Sequence, residues 1–375
     1  MGKNLKGKEI GAGIYQRKDG KYYARYYGRD GKIVGQYFKT LSEARTWLVN
    51  SKYEETHGTI ANPRQIDVDT WFWYWIDEIK GDSIRHGTRR AYVDRYNHRI
   101  KPVIGDMLLA DVKPLHCQNV LNQAQEAGDT SGSVRKLRVI MHSFFEAAYD
   151  NEMINGNPIR SSVTYISEPN AERRVLTLDE QKRFLEAAKD FPFFNMFALG
   201  LQTGMRVGEL SGLKWEDINM ATGYLKVNHS LDYRDDLKMF VENPPKSKAG
   251  EREIPLTAEA REILNRVKKE NAALPAVAPY THLVFRNSEG KPSHRGNLNR
   301  TLRKITDKAE MDPISMHVLR HTFATRCIEA GMRPKTLQKI LGHSSITLTM
   351  NLYVHVTHDS LKDEMEKFGA LSKMA

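Results

Sequence analysis

Hydrophobic and polar positions fall into three regimes along the chain. Over residues 13–17, 21–27 and 32–38, Tyr, Ile, Val and Phe come in short, partly alternating runs. Such runs predict strands, and Asp19-Gly20 and Asp30-Gly31 between them predict hairpin turns. Thr40 with Glu43 three residues on forms a capping box, so a helix follows, with Ala44, Trp47 and Leu48 as its inner stripe. The expected first domain, residues 1–57, is a three-stranded sheet plus one helix.

Over residues 63–162 the pattern turns helical. Residues 68–79 carry Trp71, Phe72, Trp73, Tyr74 and Trp75 in succession, a run expected in a core rather than on a stacking platform. Thr88 opens a second helix with Tyr92, Val93, Tyr96 and Ile100 on one face, ended by Pro102 and Gly105. Residues 111–126 and 133–150 form two more helices, the first with Pro114 in its first turn, where proline is tolerated. Residues 159–174 are polar and aperiodic and read as a linker. Residues 171–375 are mixed: helices at 179–189 and 193–202, strands near 224–228 and 251–255, then helices again. The fold class expected is multidomain: the small sheet-plus-helix domain, an all-α domain, and a mixed, mainly-α domain.

Charge changes this picture. Lys and Arg number 57 against 46 Asp and Glu, a formal net charge of +11. Twelve Lys/Arg against six Asp/Glu lie within residues 1–57, so about half the excess sits there. A polyanionic partner follows, and nucleic acid is the commonest. A basic, aromatic sheet face can enter a DNA groove as a β-ribbon does, which makes Arg17, Lys21 and Arg25 candidate DNA contacts. Arg90, Arg135 and Arg138, on polar helix faces, are candidates for phosphate contact. The plainer reading of each face is solvated surface. The two cysteines, Cys117 and Cys327, exclude a disulfide framework and fit a reducing cytoplasm. The basic start of the chain lacks an apolar stretch and is expected not to be a signal peptide. No apolar run approaches the roughly 18 residues of a membrane helix.

Six features of the third region carry candidate chemistry. They are Arg206 and Glu209 in Thr203-Gly204-Met205-Arg206-Val207-Gly208-Glu209-Leu210; a basic turn from Pro245 to Arg252, read as a hairpin tip with a lysine at its apex; His317 and Arg320 in His317-Val318-Leu319-Arg320-His321; His343 in Leu341-Gly342-His343-Ser344; and Tyr353. Alone each is weak. An Arg–Glu pair three apart is usually a surface ion pair, and a late tyrosine is usually packing. His317 and His321 could share one helix face for a metal, but no third ligand is evident, and no metal is expected.

Together, in this order, they resemble the signature of the tyrosine recombinases, within them the integrases of phages and integrative conjugative elements. The likeness runs from about Arg173 to Val356. Residues 63–162 are similar to that family's helical core-binding domain, and residues 1–57 to the arm-binding domain of integrases with a three-stranded sheet. The resemblance implies a catalytic domain of the tyrosine recombinase and type IB topoisomerase type. It also implies DNA cleavage and rejoining through a 3′-phosphotyrosyl enzyme, integrating and excising a mobile element, with neither ATP nor metal. It implies Tyr353 as nucleophile, Arg206 and Arg320 as phosphate ligands, His343 as a third donor, His317 as base, Lys248 (rather than Lys246) as acid, and Glu209 orienting Arg206 or a histidine. Implied partners are double-stranded DNA at core and arm sites, a homo-tetramer in the synaptic complex, and a host DNA-bending protein and an excisionase as accessory factors. No cofactor and no membrane partner are expected, and the bacterial cytoplasm is the expected location. An apolar stripe of Leu361, Met365, Phe368 and Leu371 is expected to dock on a neighbouring protomer. A type IB-like topoisomerase and a non-catalytic DNA-binding regulator are the rival readings.

Overall fold

The computed structural model describes residues 2–356 apart from 6, 8, 28–31, 58–65, 168–173 and 246, together with 369. The chain divides into two compact units, 1–170 and 171–375.

The first unit opens with a short hairpin, β1 (Gly2–Lys3) against β2 (Glu9–Gly11). An antiparallel sheet follows: β3 (Ile14–Gln16), β4 (Tyr22–Tyr27) and β5 (Ile33–Phe38), with β4 central. The Asp19-Gly20 turn closes as expected, Gly20 N–H donating to the Arg17 carbonyl at 2.9 Å. The Asp30-Gly31 turn lies outside the described residues. Register decides the two faces. Ile14 pairs with Ala24, and Tyr22 with Phe38, so these residues and Tyr26 meet Ala44 and Leu48 of α1 (Leu41–His57) in a small core. Tyr15, Tyr23 and Tyr37 line up across the opposite face. There the Arg25 guanidinium lies 5.1 Å from the Tyr15 ring and that of Arg17 4.9 Å from the Tyr37 ring. The capping box forms: Glu43 N–H donates to Thr40 Oγ1, and Thr40 N–H to Glu43 Oε2, both at 3.2 Å.

The rest of this unit is helical. It comprises α2 (Val68–Tyr74) widening into a π-turn, α3 (His86–Arg95) with a π-turn before α4 (Lys101–Ile104), α5 (Pro114–Glu126) and α6 (Ser131–Asp150). Trp71, Phe72 and Trp75 are fully buried, and Trp71 Nε1 donates to the Phe144 carbonyl at 2.8 Å. The aromatic run is therefore core. The second helix passes through Pro102 and ends at Ile104, with Gly105, the other expected stop, as its C-cap. Lys101 N–H bonds Tyr96 O, five residues back, so the turn is already widened where the proline ring would otherwise crowd a carbonyl. Arg138, a candidate phosphate contact, also braces the fold: it donates to Val163 O at 2.8 Å and Arg160 O at 3.2 Å, tying down the segment after α6. Arg90 and Arg135 are exposed, as is Lys21 in its turn.

The second unit has α7 (Leu178–Ala188), α8 (Phe194–Thr203) and α9 (Val207–Gly212). After them come β6 (Ile218–Asn219), β7 (Tyr224–Val227), β8 (Ser230–Arg234), β9 (Met239–Asn243) and β10 (Arg252–Pro255). It ends with α10 (Ala258–Asn271), α11 (Arg295–Lys308), α12 (Met316–Glu329), α13 (Pro334–Leu341) and α14 (Ile346–Val356). A capping box starts α7, with Thr177 Oγ1 accepting from Glu180 N–H at 3.1 Å. The mostly apolar α8 runs through the core between α7, α10 and α12. The sheets correct one expectation. β7 pairs with β10 and β8 with β9, in separate sheets. The turn carrying Lys248 is thus not a hairpin tip but a 3₁₀ turn entering β10 from the β8–β9 hairpin. The alternation of residues 230–243 around Asp235-Asp236 is the signal that marks that hairpin. The apolar stripe at residues 361–371 lies outside the described residues.

Candidate active site

Four segments of the second unit meet at one place: the α8–α9 junction, the start of α12, the end of α13, and the 3₁₀ turn before β10. Arg206 is the N-cap of α9. Its backbone N–H and Nη1 both donate to Glu209, each at 2.8 Å, while the side chain stays 42% exposed and open to a ligand. Arg320, on α12, is buried, and donates to the carbonyls of Gly204 and Leu341, both at 2.6 Å. These bonds spend two of the guanidinium's five donors and pin it between the α8–α9 junction and the end of α13. Burial, then the like charge of Arg206, lowers its pKa below the usual arginine range. A guanidinium still stays protonated at neutral pH.

His343 follows the C-cap of α13, and its Nδ1 lies 3.0 Å from Thr349 Oγ1. Burial first, then the charges of Arg320, Arg206 and Arg252, lower its pKa to about 4. Its imidazole is therefore neutral near pH 7, and its distal nitrogen is a donor when Thr349 donates to Nδ1. His317, exposed on the first turn of α12, also has a lowered pKa, from desolvation first and then Arg295, Arg320 and Arg206. A neutral ring can take up a proton. Lys248 is exposed; Lys246 lies outside the described residues.

Glu209 is the carboxylate amid these cations, and it is buried. Burial opposes its ionisation, but the hydrogen bonds and charge of Arg252, then the backbone N–H and charge of Arg206, hold its carboxyl at about 2. Its carboxylate thus joins two arginines, Arg206 and Arg252. Arg252 is the residue that sequence reasoning passed over. It is buried and grips Glu209 with both Nη atoms, at 3.1 and 2.8 Å. Its signal was the alternation of β10, which turns Arg252 inward with Ile254.

Tyr353, on α14, packs with Phe323 and Met332 against a cluster that includes Cys327, Leu337 and Leu341. Its hydroxyl donates to the Met332 carbonyl. Burial first and Cys327 second raise its pKa, so the phenol is protonated. The two arginines and His343 share one field of charge, whereas the phenol is turned to the start of α13. No group of His, Cys, Asp and Glu able to hold a metal occurs among the described residues, and His317 and His321 are not part of one. No helix among the described residues is long and apolar enough to cross a membrane.

Comparison with known proteins bears on this geometry. Residues 174–359 match the Phage integrase family, and residues 68–124 match the Phage integrase, N-terminal SAM-like domain. A XerC-like tyrosine recombinase of Caldanaerobacter subterraneus is 29% identical, over 94% of this chain and 97% of that protein. The transposase of transposon Tn916 from Enterococcus faecalis is 26% identical, over 72% of this chain and 69% of that one. A Tn1549 transposon integrase solved with transposon right-end DNA superposes with a TM-score of 0.70 at 26% identity, covering 81% of this chain and 100% of that one. The lambda integrase tetramer on a Holliday junction shares the fold, with a TM-score of 0.60 at 22% identity, covering 92% of this chain and 95% of that one.

Proposed function

This chain belongs to the phage integrase family of tyrosine recombinases, and from that premise we propose how its own residues cut and rejoin DNA. It is a site-specific recombinase of the integrative-element type, which integrates and excises a mobile element. One observation carries the assignment of residues. Arg320, fastened to the carbonyls of Gly204 and Leu341, ties the α8–α9 junction that carries Arg206 to the end of α13 that precedes His343.

A phosphodiester resists a second anion, so stabilising the charge of pentacoordinate phosphorus is the main task. Arg206 and Arg320 bind the non-bridging oxygens through planar forks of donors. His343 adds a hydrogen bond from its neutral ring. Tyr353 Oη attacks phosphorus and its proton passes to His317. The bond to the 5′-oxygen breaks, and Lys248 protonates the leaving oxygen. The product is a 3′-phosphotyrosyl enzyme and a free 5′-hydroxyl, with the bond energy kept in the ester. A 5′-hydroxyl of a second duplex then reverses the step. The phenol donates to the Met332 carbonyl, so α14 must release it before attack.

DNA is the partner. The solved relatives include integrases bound to DNA and a tetramer on a Holliday junction, which supports a tetramer in the synaptic complex here. The Tyr15–Tyr23–Tyr37 face with Arg17 and Arg25 is the surface for arm DNA, with Lys21 beside it; Arg90 and Arg135 serve the core site. The place of action is the bacterial cytoplasm, where the DNA lies.

A randomised substrate tests this without a defined target sequence. The full chain is incubated in EDTA with a library of nicked duplexes of random sequence, and SDS-resistant protein–DNA adducts are recovered and sequenced. An adduct that Tyr353→Phe abolishes, and that yields two-site products, is expected. A topoisomerase gives the adduct without two-site joining, and a regulator gives no adduct.

A further inference from the structure

We propose that Arg252 is the positioning residue of this site: one buried guanidinium that holds the Lys248 turn, the Glu209–Arg206 pair and the helix end before His343 in a single fixed arrangement. The proposal rests on the recombinase reading and deepens it.

The Arg252 side chain is 5% exposed. Its Nη1 donates to Gly250 O at 3.1 Å, inside the 3₁₀ turn that begins at Lys248. The same Nη1 and Nη2 hold Glu209, whose other bonds go to the backbone and guanidinium of Arg206. Nε donates to Ile340 O at 2.5 Å, on the last turn of α13. The next carbonyl along, Leu341 O, takes Arg320. Two guanidinium groups therefore grip the last carbonyls of α13, and His343 follows two residues later.

Gly342 reports how close the segments come. A Cβ there would stand 2.9 Å from Ala249 O and 3.1 Å from Arg252 Nη1. The Lys248 turn and the His343 turn touch through Arg252, with no space for a side chain between them. Three acceptors on three segments need a planar group with donors on several sides. Lysine, a point charge on a flexible stem, cannot serve them together. A buried ion pair that only neutralised Glu209 would need neither the Gly250 nor the Ile340 bond.

The consequence is specific to proton delivery. Loosening Arg252 should free the Lys248 turn, so the reaction that needs protonation of the leaving 5′-oxygen suffers most. A substrate with sulfur bridging phosphorus and the 5′-carbon removes that need: Tyr353 breaks a P–S bond, and the thiol, with a pKa of about 8.5, departs as thiolate.

The experiment uses the duplex recovered by adduct capture, in oxygen and 5′-bridging sulfur versions, with single-turnover adduct formation by the full chain. Arg252→Lys is expected to slow the oxygen ester about a hundredfold, the scale of a misplacement near 1 Å. The sulfur ester should slow less than about tenfold, and DNA affinity should stay within about twofold of the parent. Equal slowing of both esters overturns the assignment of Arg252 as the residue that positions the Lys248 turn, because the loss would then come from Arg206 and His343 alone or from general destabilisation. Rates within about threefold of the parent on the oxygen ester overturn it too. Should Arg252→Lys fail to fold by circular dichroism, the paired variant Glu209→Gln with Arg252→Met, which removes both charges at once, is compared on the same two esters and read by the same ratio. Absence of any adduct from the parent chain sinks the recombinase reading itself, a result visible before any variant is compared.

Discussion

Among the site's side chains, Glu209 and His343 answer the same cations in different ways. Burial disfavours the charged form of each. For Glu209, Arg252 and Arg206 outweigh burial and hold the carboxyl ionised down to about pH 2. For His343, Arg320, Arg206 and Arg252 add to burial and keep the ring neutral down to about pH 4. Stability follows from these shifts. An unfolded histidine takes a proton near pH 6.5, while the folded His343 refuses one until about pH 4. Its contribution is therefore complete above about pH 6.5 and disappears as pH falls toward 4. Glu209 acts in a lower window, its contribution present above the ordinary carboxylate range and lost as pH falls through about 2. The melting temperature of the DNA-free chain should thus fall between about pH 6.5 and 4, and His343→Gln should flatten that fall. A variant with the same slope as the parent would show that His343 titrates normally. Arg206, Lys248, His317, Arg320, His343 and Tyr353 are named from the order of motifs that resembles the family, and their roles stay proposals that the adduct experiment tests. Arg252 was half legible. Alternation turned it inward, but its partner lies 43 residues away, and nothing local names a partner so distant.

Local rules worked best for whole elements when both halves of the signal were close in sequence. The Thr40–Glu43 and Thr177–Glu180 boxes span three residues each, and both form. The β8–β9 hairpin was missed because the basic turn from Pro245 to Arg252 was read as the hairpin tip, while the turn that joins β8 to β9 is the acidic Asp235-Asp236. The junction of α8 and α9 shows what an element boundary must supply. Gly204 adopts a left-handed φ of +63°, and a Cβ there would sit 2.3 Å from Phe323 Cδ1 and 3.0 Å from Leu341 Cδ2. Its carbonyl is also the one that Arg320 grips. Gly204→Ala should cost about 1–2 kcal/mol for the backbone and about 1–3 kcal/mol for overpacking, read by urea unfolding. It should also displace Arg206, so that adduct formation slows more than about tenfold while DNA retention in a gel persists. An adduct rate equal to the parent's would show that the junction tolerates the shift.

For the whole molecule, the division at residue 170 leaves every proposed catalytic side chain in the second unit. Half the excess positive charge lies within residues 1–57. Removing residues 1–57 is therefore expected to weaken retention of one class of DNA sites, with a shallower dependence of affinity on salt, and to leave the Tyr353 adduct obtainable. Complete loss of the adduct would mean that the sheet supports the fold rather than DNA capture, a role to which Val49 of α1, packed in the helical core, contributes. What this amino-acid order determined by itself is whatever depends on near neighbours: strands with an Asp-Gly turn, capped helices, a buried aromatic run, and the succession of chemistry-bearing residues that marks the family. What only the tertiary structure decided is which groups touch: Arg320 on a carbonyl 116 residues away, Arg252 on Glu209, and Tyr353 on Met332. The physical reason is that a hydrogen bond constrains two atoms to about 3 Å. Chain separations of this size leave such a distance undetermined until the core has closed.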